Sequence, residues 1–266
     1  MASSAEIRDH YDSLAFLYQA FWGDHIHHGL FQDHDSPAVA QVRMLDHCVQ
    51  LLGLRGGEHV LDAGCGHGGT LLHLARNWNC RGIGLTLSPK QASIAREKAS
   101  RTGLDHQVQF IVADVSAFQF PPAAFDLVWA MESSEHFPDK SKFFRDAAST
   151  LRGGGQLLLA AWTGSMENPA VRDVAKAFLC PELWTADQYA ESIKKAGLDV
   201  IVREDLSENV TRTWEVCQQR ARAASVFVRL LPRAAQEFVL GIDTILDAYR
   251  SGTLRYSVLV ARSRHL

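Results

Sequence analysis

The stretch His59-Val60-Leu61-Asp62-Ala63-Gly64-Cys65-Gly66-His67-Gly68-Gly69 constrains this chain more than any other. A short apolar run ends near an acid, and four glycines then lead into Leu71, Leu72, Leu74 and Ala75. Glycine lets a backbone turn sharply and approach a ligand with no Cβ in the way. The free amides at the start of the following helix point at the same place. The pattern predicts a buried strand, a tight loop and a helix around a nucleotide-type pocket. Asp62 at the strand tip disfavours a pyrophosphate there and suits a cationic ligand group.

From residue 57 onward short apolar runs alternate with helical patterns. Strands are predicted at 58–63, 80–86, 107–112, 125–131, 155–162, 198–205 and 254–262, and helices at 69–78, 89–102, 139–151 and 186–196. Lys194, Lys195 and Gly197 close the last helix with cations and a glycine. This order implies an α/β fold, a Rossmann-like seven-stranded, mostly parallel sheet with helices on both faces. Ligands in such sheets sit at the carboxyl ends of the strands near the switch point. Upstream, Ser36-Pro37 reads as an N-cap with proline at the first helical position, and Val39, Val42, Leu45, Val49 and Leu52 form an apolar stripe ended by Gly53. Residues 207–250 break the alternation with one or two helices around Pro232. The expected organisation is an N-terminal helical lid (1–54), a core (55–206 and 251–266) and a helical cap (207–250).

At 266 residues and 47% apolar content the chain can build a full core, and a net charge of −3 gives no sign of a nucleic-acid surface. No apolar run reaches membrane-spanning length, and the first residues lack the basic and apolar parts of a signal peptide. Five dispersed cysteines, odd in number and without a C-x-x-C pair, fit reduced thiols in the cytoplasm.

The glycine loop, then Val112-Ala113-Asp114-Val115, then Phe125-Asp126-Leu127-Val128-Trp129 together resemble class I S-adenosylmethionine (SAM)-dependent methyltransferases. Tyr11-Asp12, Phe21-Trp22-Gly23-Asp24-His25-Ile26-His27-His28-Gly29, Met131-Glu132-Ser133-Ser134-Glu135-His136 and Asp205-Leu206-Ser207-Glu208-Asn209-Val210 narrow the resemblance. They resemble the γ-tocopherol methyltransferase-like group, which is similar to coclaurine N-methyltransferases and cyclopropane fatty acid synthases. The resemblance implies SAM as cofactor and a small, aromatic or apolar acceptor, methylated at carbon or nitrogen in preference to oxygen. It implies that Asp62 holds the α-amino end of SAM through Gly64 and Gly66. Asp114 would accept from the adenine amino group with the Val115 amide beside it, Met131 would line the site, and Tyr11, Tyr18 and His28 would close over the cofactor. Many class I enzymes place an acid at the end of the second strand for the ribose. Here stands Gly84-Leu85-Thr86-Leu87-Ser88, and the resemblance offers Thr86 and Gln91 instead. Gln91 has a second reading, as the return arm of a capping box with Ser88.

Methyl transfer from a sulfonium is an in-line displacement that needs alignment, a dry site and a deprotonated acceptor. Glu135 and His136, just after the fourth strand, form a carboxylate–imidazole pair suited to take that proton, with Glu132 as a substitute. Rings near the site, among them Trp162, Phe178, Trp184, Tyr189, Trp214, Phe227 and Phe238, would supply an apolar wall. Methyl transfer needs no metal, and none is expected at His25, His27 and His28. The expected partner is a small-molecule acceptor, with no nucleic acid, no stable membrane insertion and room for a homodimer. Two rivals are a nicotinamide-dependent oxidoreductase and a non-catalytic SAM-fold binding protein.

Overall fold

The computed structural model describes residues 5–9, 12–13, 23, 25–223 and 233–264. Seven strands form one sheet: β1 (His59–Ala63), β2 (Arg81–Thr86), β3 (Val108–Val112), β4 (Phe125–Met131), β5 (Leu151–Thr163), β6 (Leu198–Asp205) and β7 (Arg255–Ser263). Their order across the sheet is β3-β2-β1-β4-β5-β7-β6. The first five are mutually parallel, and β7 runs antiparallel between β5 and β6. This is the Rossmann-like architecture expected from the alternating pattern.

The register explains where a site forms. Asp62 on β1 pairs with Gly84 on β2 and with Trp129 on β4, so the strands end together. Chain direction across the sheet reverses between β1 and β4, which opens a crevice above their carboxyl ends. Side chains alternate between the two faces. Val60, Leu127, Trp129 and Leu158 enter one core layer, whereas Leu61, Val128, Ala130 and Leu157 enter the other.

The helices follow their caps. In α1 (Pro37–Leu52) the Ser36 hydroxyl accepts from the Val39 amide, and Gly53 ends the helix at φ +62°. The buried face is Ala40, Gln41, Met44, Leu45, Cys48, Val49 and Leu52. Val39 differs from the predicted stripe: it is 49% exposed, because the helix turns Ala40 and Met44 rather than Val39 toward the core. α2 (Gly69–Trp78) leaves the glycine loop, α3 (Pro89–Arg101) starts from the Ser88 cap, and α4 (Lys140–Thr150) from Asp139. α5 (Pro169–Ala177) escaped the sequence reading although Asn168-Pro169 is a start signal; the Asn168 side chain accepts from the Ala170 amide. α6 (Ala186–Lys195) opens with a full capping box between Thr185 and Gln188.

Between β6 and β7 lie α7 (Ser207–Ala223) and α8 (Arg233–Arg250). They add Trp214, Phe238, Ile242 and Tyr249 to the same core layer that contains α1, Trp162 and Phe178. Pro232 lies outside the described residues. All five cysteines are buried and unbridged. Among the described residues no helix is long and apolar enough to cross a membrane.

Candidate active site

A cavity partly open to solvent lies above the ends of β1, β2 and β4. Its wall includes Gly64, Gly66, Thr86, Gln91, Asp114, Val115, Met131, Glu132 and His136, with Ile7 and Ile26 contributed by the N-terminal region. The loop after β1 forms its floor. The amides of Gly64 and Cys65 both donate to the Leu85 carbonyl, at 3.0 and 2.8 Å. Gly64 has φ +97°, and a Cβ there would lie 2.3 Å from the Ser133 Cβ. Only glycine fits both demands.

A smaller chamber adjoins the cavity through Gly64, Gly66, Ile26 and Met131, and is also lined by Asp62, His25, His27, Cys65, His67 and Thr70. Asp62 is 3% exposed. Its Oδ2 has no hydrogen-bond partner among the described residues. Burial pushes its carboxyl up to about 7. An acid held this way is unsatisfied until a donor arrives.

At the end of β2 the Thr86 hydroxyl donates to Gln91 Oε1 at 2.7 Å, and the Ser88 amide donates to Thr86 Oγ1 at 3.2 Å. Ser88 Oγ accepts from the Gln91 amide at 3.0 Å. Only half of a capping box is therefore present, because the Gln91 side chain turns to Thr86 rather than back to the Ser88 amide. After β3, Asp114 Oδ1 accepts from the Ser116 amide at 2.8 Å, a turn that fixes the acid beside Val115.

The densest polar cluster centres on Glu132. Its backbone takes the left-handed φ of +50°, uncommon for a non-glycine residue. Oε1 accepts from the His28 amide (2.7 Å) and the Tyr256 hydroxyl (2.8 Å). Oε2 accepts from His28 Nδ1 (2.8 Å) and Trp162 Nε1 (3.2 Å). Burial opposes the charged form, but the carboxyl is held below its ordinary range, with the hydrogen bonds from the His28 ring and amide favouring the carboxylate. Trp214 Nε1 lies 2.6 Å from His28 Nε2. An indole can only donate, so His28 Nε2 accepts and Nδ1 carries the proton toward Glu132. His28 thus stands behind Glu132, enclosed by Trp162, Trp214, Tyr249 and Tyr256, with ring centroids 5.1 to 5.8 Å away. It does not face the cavity.

Glu135 also departs from its expected position. Its Oε1 accepts from the Trp162 amide at 2.7 Å, so the carboxyl turns into β5 and away from the cavity. Burial, with a smaller push from Glu132, raises it to about 8 despite the Trp162 amide. Of the Glu135–His136 pair only His136 meets the cavity. Tyr11, Tyr18 and Phe227 lie outside the described residues. Trp162, Phe178, Trp214 and Phe238 pack edge to face on one another, at 5.3 to 6.0 Å, and are core rather than a free wall. Among the described residues no group of three histidine, cysteine or acidic side chains is placed to hold a metal ion. Tyr256 was not singled out from the sequence, where it reads as an ordinary strand residue.

The family model for mycolic acid cyclopropane synthetase matches residues 1–234. The chain is 30% identical to the chloroplastic tocopherol O-methyltransferase of Arabidopsis thaliana, over 96% of this chain and 81% of that protein. It is 32% identical to the 27-O-demethylrifamycin SV methyltransferase of Amycolatopsis mediterranei strain S699, over 97% and 96%. Among solved structures, the [4+2]-cyclase SpnF superposes with a TM-score of 0.87 at 24% identity, covering 100% of this chain and 98% of that one. That last likeness concerns the fold alone.

Proposed function

The chain belongs to the mycolic acid cyclopropane synthetase family of SAM-dependent methyltransferases, and from that premise we propose that it methylates a hydroxyl group on a small, largely apolar acceptor. Methyl transfer and the use of SAM follow from family membership. The choice of a hydroxyl oxygen, where the sequence resemblance favours carbon or nitrogen, rests on two relatives that match nearly the whole chain. One is called a tocopherol O-methyltransferase and the other acts on a 27-O-demethyl compound. An apolar acceptor also fits relatives named for sterols and a prenylated hydroquinone.

Bound SAM supplies an electrophilic methyl group on a sulfonium. The observation that carries its placement is Asp62, a buried carboxylate with an unpartnered oxygen beside a glycine floor that a Cβ would fill. In this reading Asp62 takes the ammonium end, and the Gly64 and Gly66 backbone lets the ligand approach. Thr86 and Gln91 take the ribose hydroxyls, Asp114 and Val115 the adenine, and Met131 packs beside them. His136, on the cavity wall, accepts the acceptor's proton. Glu132 fixes the shape of that wall, and Glu135 holds β5 through the Trp162 amide. The oxidoreductase reading fails on the same carboxylate, which would face a pyrophosphate. Five buried, unbridged cysteines support a reducing compartment, and we assign the cytoplasm.

Titration calorimetry with S-adenosylhomocysteine (SAH) tests the assignment. Asp62→Ala and Asp114→Ala should each weaken binding by roughly 1–3 kcal/mol, the scale of a lost charged hydrogen bond. Wild-type affinity in both would remove the cofactor from this cavity. Transfer of labelled methyl from SAM to a panel of prenylated phenols, sterols and macrocyclic alcohols tests the acceptor class. Label on carbon or nitrogen would refute the hydroxyl.

A further inference from the structure

The small chamber beside Asp62 holds a second acceptor without a donor. His27 is 4% exposed and lines the chamber together with Asp62. Its Nδ1 lies 2.8 Å from the His28 carbonyl oxygen. A carbonyl can only accept, so Nδ1 carries the ring proton and Nε2 of the neutral ring is a bare acceptor. That Nε2 is buried and has no partner among the described residues. The backbone that carries the ring is held on both sides. The Gln41 side chain donates to the carbonyls of His25 and His27, at 2.6 and 3.3 Å, and pins the backbone on both sides of Ile26. The His28 amide and ring are held by Glu132 one residue on.

Two buried acceptors, Asp62 Oδ2 and His27 Nε2, each without a hydrogen-bond partner among the described residues, therefore belong to residues that line one small chamber. A group that carries several N–H bonds and a positive charge satisfies both, and a carboxylate satisfies neither. We infer that His27 is a binding residue for the amino end of the cofactor, accepting one ammonium N–H while Asp62 accepts another. The inference rests on the SAM reading of the cavity and adds to it a recognition of the ammonium by a neutral imidazole. Burial supports it, since it lowers the His27 pKa and keeps the ring neutral beside a cation, against the raising influence of Glu132 and of the hydrogen bond to the His28 carbonyl. The assignment also separates the two adjacent histidines: His27 serves the ligand, whereas His28 braces the wall.

Three ligands read the inference on the full-length protein by calorimetry: SAM, decarboxylated SAM, which keeps the amine and lacks the carboxylate, and 5′-methylthioadenosine, which lacks both. For His27→Ala we expect affinity for SAM and for decarboxylated SAM to fall at least tenfold and alike, with 5′-methylthioadenosine bound as by wild type. Retained binding of that last ligand shows that the variant is folded. His27→Asn, which restores an acceptor, should recover part of the loss. A loss with SAM alone would mean that His27 meets the carboxylate, and an equal loss with all three would mean a structural role; either overturns the inference, as does no loss at all. Failure of wild type to bind SAM would instead overturn the reading of the cavity.

Discussion

Asp62 carries opposite demands. A carboxyl raised to about 7 in the fold, against about 4 in an unfolded chain, binds its proton more tightly when folded. Its contribution to stability therefore falls as pH rises from about 4 to about 7 and stays low above that. A ligand ammonium favours the ionised form, so SAH affinity should rise with pH through about 7 and then level off. Calorimetry in buffers of different ionisation enthalpy should read proton release below that point; an affinity flat across the range would detach Asp62 from the ammonium. Asp62→Asn removes the buried charge and should raise the melting temperature of the ligand-free protein at pH 8, a gain of roughly 1–3 kcal/mol, while weakening SAH. Glu135 and His136 separate in the same manner. Glu135→Gln keeps an acceptor for the Trp162 amide and should leave turnover within about threefold, whereas His136→Ala should lower it by about 10²–10⁴-fold, the range for a general base. Turnover rates of the two variants, measured at saturating SAM, decide which of them takes the proton.

The β1–loop–α2 unit was the most legible element, because a strand that must end, an acid and a run of glycines leave few backbone solutions. Its tolerance can be tested at Gly64. Gly64→Ala combines a positive φ with a 2.3 Å approach to Ser133 and should cost roughly 2–4 kcal/mol of stability, read by denaturant unfolding. Adding Ser133→Gly should recover part of that loss by removing the clash and none of the part due to φ. Most other strand and helix limits followed from period and caps to within a few residues. The start of β5 at Leu151 rather than 155 is an exception: residues 152–155 are polar or glycine and join the sheet because Leu151 pairs with Phe125. The Glu132 cluster was illegible for a different reason. Its donors come from residues 28, 162 and 256, and nothing in the local pattern at Met131-Glu132 announces a left-handed turn that aims the carboxylate at them. Glu135 reads in sequence like any acid before a histidine, and the Trp162 amide that turns it away from the cavity is 27 residues distant.

Across the whole molecule, the N-terminal fifty residues divide by their attachments. His27 to Phe31 are buried and tied to Glu132, to the Thr213 hydroxyl through the Gly29 amide, and to the Asn209 carbonyl through the Phe31 amide. Earlier described residues touch the cavity more lightly: Ile7 lines it, Asp12 accepts from the Ser88 hydroxyl, and Lys90 Nζ donates to the Asp12 carbonyl at 2.9 Å. Among the described residues, 27–31 are therefore wall, whereas Ile7 and Asp12 meet the cavity rim only from outside. Deleting residues 1–24 should leave a cooperative melt close to that of the intact, ligand-free chain while SAH affinity falls at least tenfold. Deleting residues 1–31 should lower the melting temperature as well; equal melts for the two truncations would dissolve the distinction. The position of β7 has a further consequence, which concerns time rather than space. β7 follows every other strand in chain order yet lies between β5 and β6, and Tyr256 on it completes the set of donors around Glu132. As the chain leaves the ribosome, the first five strands can pair in turn, but β6 emerges with no neighbour to accept it. The sheet edge at β5 stays open until the last strand arrives, and synthesis must pass residue 256 before the wall of the active site can close.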